Sequence, residues 1–247
     1  MTVYLQVHSK YTLGELAVNQ ARGQTGRDRR ARNAMIKLRN RGESALLAVV
    51  GVCLVSALGY SISTANWEFV YYAAWMVVFV AGVIWLHGRV QLPGVLLAGL
   101  ALWAAAHLAG GIVPVPGYLL DDPSDRATLY NLRPAAWLPK YDQATHAYGF
   151  FVSTLCAWHA IRATYPAPPN VGAGLFIALV LIGMGLGAMN EVIEFGATLM
   201  FHETNVGGYV NTGWDLVSNL VGCLAAAALA AARHRSTFRG RNGNALI

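Results

Sequence analysis

The sequence contains few charged residues and few cysteines. Charged residues make up 12% of the 247 positions, well below the roughly 25% that soluble domains carry. The three cysteines, Cys53, Cys156 and Cys223, lie in apolar stretches and form no CxxC pair, so they indicate neither a thiolate metal site nor a disulfide framework. The shortage of charge argues against a water-soluble domain.

Long apolar runs make up most of the chain after residue 43, and 55% of all residues are hydrophobic. Each run has about 20 residues, which is enough to cross a hydrocarbon core of ~30 Å. A water-soluble core would instead require alternation or an amphipathic stripe. We therefore predict an all-α membrane bundle of about six transmembrane helices, at about 44–62, 69–86, 92–113, 141–163, 171–201 and 211–232.

The basic residues predict the orientation of the bundle. Cytoplasmic segments of membrane proteins carry an excess of Lys and Arg. If both termini lie in the cytoplasm, 15 of the 18 Lys and Arg residues are on that side. We predict a basic cytoplasmic N-terminal tail (1–43), a transmembrane domain (44–233) and a basic cytoplasmic C-terminal tail (234–247). The tails indicate contact with anionic lipid head groups rather than with nucleic acid.

Polar residues within the predicted spans are few, and the topology places them at one depth. At a rise of 1.5 Å per residue, the polar groups of four spans fall in the outer third of the bilayer. Carboxylates in lipid are costly unless they face inward and pair, so we expect these groups to converge. They are His107, Asp142, His146, Asn190, Glu191, Glu194, Asp215 and Asn219.

The spacing of these residues also favours a shared centre. Pairs three or four residues apart lie on one face of a helix, and no Lys or Arg within these spans neutralises the acids. The carboxylates must hold either protons or a cation, and oxygen and imidazole ligands suit Zn, Fe, Mn or Mg. We predict that one or two divalent metals are bound by His107, Asp142, His146, Glu191, Glu194 and Asp215.

The remaining site residues have supporting or catalytic roles in this hypothesis. Glu191 or Glu194, whichever is not a ligand, would act as general base for a metal-bound water. Asn219 would orient a ligand from outside the coordination sphere, and Asn190 belongs to the same supporting layer. Ordinary structural roles remain open: His107 as a core histidine, and Asp142 and Asp215 as helix caps.

Four motifs resemble those of the YjdF-like bacterial inner-membrane family over roughly residues 45–232. The resemblance implies a multi-pass protein of the bacterial inner membrane and supports the site residues, but it supplies no reaction. One departure is Asn211, where family members often have Asp. The last span alone also resembles VanZ-like proteins. The motifs are His107-x-x-Gly110-Gly111, Tyr141-Asp142-x-x-x-His146-x-x-Gly149-Phe150, Asn190-Glu191-x-x-Glu194 and Asp215-x-x-x-Asn219-x-x-Gly222.

Three functions are compatible with this pattern. The first is a metal-dependent enzyme that modifies a lipid or another amphiphile near the periplasmic face. The second is a proton- or cation-coupled transporter, which needs a polar route to the cytoplasm that only His159 suggests. The third is a non-catalytic subunit of a larger membrane complex, whose partner spans would pack on small residues such as Gly183 and Gly187.

Overall fold

A computed structural model describes residues 41–120, 122, 125–165, 171–202 and 204–243, with the backbone alone described for 234–243. The described residues form long helices and two short 3-10 turns, Gly117–Leu119 and Leu129–Asn131. The helices are α1 (Arg41–Ser63), α2 (Trp67–Val90), α3 (Gly94–Ile112), α4 (Tyr141–Thr164), α5 (Ala173–Met200) and α6 (Gly208–Gly243).

The prediction of an all-α membrane bundle is confirmed. Five of the helices (α1, α2, α3, α5 and the Gly208–Arg233 part of α6) are long and apolar enough to cross a membrane. Helix α4 also has 24 residues, but it is more polar. Its buried side chains include Gln143, Thr145 and His146, and it packs against α3, α5 and α6. A helix shielded from lipid by its neighbours does not need an apolar surface.

Close contact between α4 and α6 forms the centre of the bundle. A Cβ atom at Gly222 would overlap the carbonyl oxygen of Ala147, so the two backbones approach closely at this point. Glycines on α5 allow a similar approach: Gly187 faces Asn219, and Gly183 faces the side chain of Thr154. Gly183 and Gly187 therefore pack within this chain.

The connections on one face of the bundle are held together by Glu68, the second residue of α2. Its carboxylate accepts hydrogen bonds from the backbone and side-chain nitrogens of Asn205, at 2.8 and 3.2 Å, and its Oε2 lies 3.4 Å from Arg126 Nη1. Asn205 follows α5, and Arg126 lies in the connection between α3 and α4. The α3–α4 connection is not a continuous helix, but contains the two 3-10 turns and two isolated β-bridges.

Most of the predicted N-terminal tail, and the last four residues (244–247) of the C-terminal tail, fall outside this description. Residues 1–40 of the N-terminal tail, and with them its predicted contact with anionic lipid, lie outside the described residues, whereas 41–43 form the first turn of α1. At the other end, α6 continues to Gly243, ten residues beyond the predicted boundary at 233, because nothing in the sequence after 233 breaks a helix before Gly240.

Candidate metal centre

His146 lies at the centre of a group of carboxylates from three helices. The imidazole is 3% exposed. Its Nε2 atom lies 3.5 Å from Asp142 Oδ1, one turn earlier on α4, and 3.8 Å from Glu194 Oε1 on α5. Its Nδ1 atom lies 3.6 Å from Glu191 Oε1. One histidine thus faces three acids.

Two overlapping sets of three residues have the geometry of ligand sets. In each set, one potential ligand atom per residue lies within 4.8 Å of the others. The first set is Asp142, His146 and Asp215, and the second is His146, Glu191 and Glu194. The structure therefore brings five of the six residues that the sequence suggested as ligands into one group.

Three asparagines orient members of this group. Asn219 Oδ1 lies 3.1 Å from His146 Nδ1, which makes Asn219 the acceptor of an Nδ1–H hydrogen bond. Asn190 Nδ2 donates to Glu194 Oε1 at 2.7 Å, and Asn211 Nδ2 donates to Asp215 Oδ2 at 2.7 Å. Since asparagine carries no charge, these contacts position the group without neutralising it.

Several oxygens of the group have no hydrogen-bond partner among the described residues. They are both carboxylate oxygens of Glu191 and Oδ1 of Asp215, all of them buried. The Nδ2 amide of Asn219 lies near Glu191 but does not reach hydrogen-bond geometry. Buried polar atoms in proteins are almost always paired, so these oxygens are open positions for a ligand.

The negative charge of the group has little compensation from basic side chains. Helix α5 contains no Lys or Arg, and Arg162 is the only one in α4. Lys140, which precedes α4, places Nζ 2.9 Å from Asp125 Oδ2. Four carboxylates around one imidazole therefore require protons or a bound cation.

His107 lies beside this group and outside both ligand sets. Its ring stacks on Trp103, with centroids 5.4 Å apart, and its Nδ1 atom lies 2.9 Å from the Tyr130 hydroxyl. That hydroxyl donates its one proton to the His107 carbonyl at 2.8 Å, so towards Nδ1 it is the acceptor; burial raises the pKa of Tyr130 above its ordinary range, so it keeps its proton. The Nδ1 atom of His107 is thus occupied by Tyr130.

A small cavity of about 20 Å³ connects His107 with the acidic group. It has room for about one water molecule. Its wall includes His107, Asp142 and Glu194 together with Glu68, which is 2% exposed. Sequence reasoning missed Glu68, although the depth argument that selected Asp142 applies equally to an acid in the first turn of α2.

Comparison with protein families agrees with the fold. Residues 44–236 match the model of a family described as "Predicted membrane protein (DUF2238)". The chain belongs to this family. The match covers all of the candidate site residues, and the resemblance to YjdF-like proteins is consistent with it. Searches of curated proteins and of solved structures give no match. The family description names a membrane protein and no activity, so function must be inferred from the site.

Proposed function

We propose that the group around His146 binds one or two divalent cations and forms the active site of an enzyme that acts on a lipid or another membrane amphiphile. The observation that carries this proposal is the convergence of five acid and imidazole side chains, of which His146 and Asp215 are buried and the other three partly buried, with open oxygens and no basic residue among them. Carboxylate oxygens and a histidine nitrogen suit Zn, Mn, Fe or Mg.

The hydrogen bond to Asn219 favours one assignment of ligand atoms. When Nδ1–H donates to the Asn219 oxygen, the lone pair of His146 is on Nε2, which is the nitrogen that faces Asp142 and Glu194. Metal-binding histidines commonly donate their other N–H to a fixed acceptor in this way. Asp215 shares a ligand set with Asp142 and His146, and its Oδ1 is the atom open to a cation, because its Oδ2 accepts from Asn211.

Glu191 is the best-placed general base. It lies on the Nδ1 side of His146, away from the nitrogen that faces Asp142 and Glu194, and both of its oxygens are open. A carboxylate in this position can accept a proton from a water molecule as that water attacks a bond of the substrate. The cation would supply charge stabilisation for the developing anion. Glu194, which accepts a hydrogen bond from Asn190, can instead act as the general base, with Glu191 as a ligand.

The alternative functions have less support. A transporter needs polar groups along the other half of the bundle, but His159 Nε2, one candidate for that route, lies 3.1 Å from the carbonyl oxygen of Val90. A subunit of a larger complex needs an unused small-residue face, but Gly183 and Gly187 already face side chains of α4 and α6.

Metal analysis of the purified protein tests the proposal. The chain is purified without chelators and its metal content per mole is measured, for the native protein and for His146→Gln. We expect one or two divalent ions in the native protein and a loss of metal in the variant. His159→Gln is the matched control, since it removes a histidine of the same bundle outside the group, and it should retain the metal.

Two outcomes would reject the proposal. One is a native protein that neither contains metal nor takes it up from added Zn, Mn, Fe or Mg. The other is an equal metal content in His146→Gln and in native protein, when both elute as single folded species.

A further inference from the structure

A second pocket lies between α1, α2 and α3. It has a volume of about 110 Å³, and its lining is almost wholly apolar. Helices α2 and α3 are neighbours in sequence but touch each other much less than α1 touches either, and this leaves the pocket between them. A volume of this size holds several water-sized groups, although the apolar walls offer water no partners.

The pocket is elongated. It extends along α2 from Met76 to His87, which corresponds to about 16 Å of helical rise. This is about half of the ~30 Å hydrocarbon core, the depth of one leaflet. Its volume of about 110 Å³ is too small for another helix, whose diameter is about 10–12 Å. Ile84 on its wall is 45% exposed, so the pocket opens to the apolar surroundings of the bundle.

One end of the pocket is polar and the other is aromatic. At the polar end, Glu43 Oε2 lies 3.7 Å from His87 Nε2, and His87 Nδ1 is buried without a hydrogen-bond partner among the described residues. This end lies at the first turn of α1 and the last turn of α2, where the bundle meets the membrane surface. At the deep end, Phe79 and Trp103 pack edge to face, with centroids 6.3 Å apart.

We propose that this pocket binds one acyl chain of a membrane phospholipid. The head group lies at the Glu43–His87 end, and the chain extends inward along Val80 and Leu100 to Phe79 and Trp103. Length and polarity both match a lipid in its ordinary orientation: a polar group at the surface and one leaflet of hydrocarbon beneath it. Small polar ligands are excluded because nothing beyond the mouth of the pocket can hydrogen-bond them.

This lipid site is distinct from the metal centre. The two share only the walls formed by Met76 and Phe79, which line both the pocket and the small cavity beside Glu194. The Glu43–His87 end is also on the opposite face from the Glu68 contacts. The proposal therefore does not depend on the metal, and each can fail without the other.

Bromine on an acyl chain quenches the fluorescence of a nearby indole. Trp103, at the deep end of the pocket, therefore reports whether a chain is bound there. The chain has seven tryptophans, so the experiment uses a variant that retains Trp103 alone, with the other six changed to Phe. The probe is phosphatidylglycerol brominated either near the carbonyl or near the chain terminus, titrated into detergent-solubilised protein. We expect saturable quenching of Trp103, and stronger quenching by the terminal bromine.

Matched substitutions on α3 distinguish quenching by a lipid in the pocket from quenching by the surrounding lipid. Ala101→Leu together with Ala104→Leu fills the pocket, because both alanines line it. Ala98→Leu adds the same side chain at an exposed position of the same helix. We expect the double variant to lose the quenching of Trp103 and Ala98→Leu to retain it.

A second reporter excludes misfolding as the cause. Trp85 is 62% exposed and faces the surroundings, so a variant that retains Trp85 alone should be quenched equally with the pocket open or filled. The proposal is overturned if Trp103 is not quenched, if the filled pocket and Ala98→Leu give the same quenching, or if the bromine near the carbonyl quenches Trp103 more strongly.

Discussion

His146 Nδ1 lies 3.1 Å from Asn219 Oδ1, and this contact fixes the orientation of an imidazole on α4 by an amide on α6. Both side chains are buried. The contact depends on the close approach of the two helices at Gly222, one turn beyond Asn219. Helix packing therefore determines which nitrogen of His146 faces Asp142 and Glu194.

The first prediction concerns Asn219. The change Asn219→Leu keeps the volume of the side chain but removes the acceptor for His146 Nδ1–H, so the imidazole loses its fixed orientation. We expect metal affinity to fall about 10–100-fold, the usual effect of removing such a partner, without a change in stoichiometry. Calorimetric titration of the metal-free protein with metal measures both the affinity and the stoichiometry.

The control for Asn219 is another buried amide. Asn131 donates its Nδ2 to the carbonyl of Arg126, in the α3–α4 connection. Asn131→Leu should leave metal affinity within about twofold of the native value, an energy of roughly 0.4 kcal/mol. Equal losses in Asn131→Leu and Asn219→Leu would show a general effect on folding and contradict a positioning role.

The second prediction compares two histidines. Although His107 was a candidate ligand from the sequence, it lies outside both ligand sets. We expect His107→Gln to retain the native metal stoichiometry, under conditions in which His146→Gln is empty. Complete loss of metal in His107→Gln, in a protein that remains folded, would show that His107 is a metal ligand.

The positions of the helices could be predicted well from sequence because lipid imposes a simple rule. An apolar run of the right length has one stable arrangement across a bilayer, and every predicted span corresponds to an observed helix. The depth argument also found Glu191, Glu194 and Asp215, since rise per residue and topology together fix depth.

Other parts of the site could not be predicted because they depend on the connections between helices. Tyr130, which holds His107, and Arg126, which pairs with Glu68, both lie in the α3–α4 connection. No periodic pattern places such a segment in space. Glu68 itself follows Asn66, whose side chain caps α2 by accepting from the backbone nitrogen of Phe69, so the pair has the sequence signature of an ordinary helix start.

The third prediction tests the contact between Glu68 and Arg126. The Arg126→Ala change leaves the buried Glu68 carboxylate without this cationic partner, although it keeps its hydrogen bonds from Asn205, and we expect it to reduce the free energy of unfolding by about 1–3 kcal/mol. Adding Glu68→Gln removes the stranded charge but keeps an oxygen that accepts from Asn205. The double variant should therefore be more stable than Arg126→Ala alone, as measured by thermal unfolding in detergent.

The comparison of Arg126→Ala with the double variant isolates the effect of the charge on Glu68. Arg126 is about one-third exposed, so the pair itself contributes little, and the effect comes from the charge that is left behind. If Arg126→Ala and the double variant unfold at the same temperature, Glu68 is not held as an anion by Arg126.

The fourth prediction concerns the contact between α4 and α6. In Gly222→Ala, the added methyl group overlaps the carbonyl oxygen of Ala147, which is backbone and cannot rotate away, so the helices must separate. We expect the free energy of unfolding to fall by about 1–3 kcal/mol. Metal affinity should fall as well, because His146 lies on α4 and Asp215 on α6. Thermal unfolding in detergent and metal titration measure the two effects.

Gly213 provides the matched control on the same helix. A Cβ atom there meets nothing within 4 Å, so Gly213→Ala should be neutral or stabilising by about 0.4–1 kcal/mol, because alanine restricts the unfolded chain. It should also leave metal affinity unchanged. If Gly222→Ala bound metal as tightly as Gly213→Ala, the close approach of α4 and α6 would not be what holds the acidic group around His146.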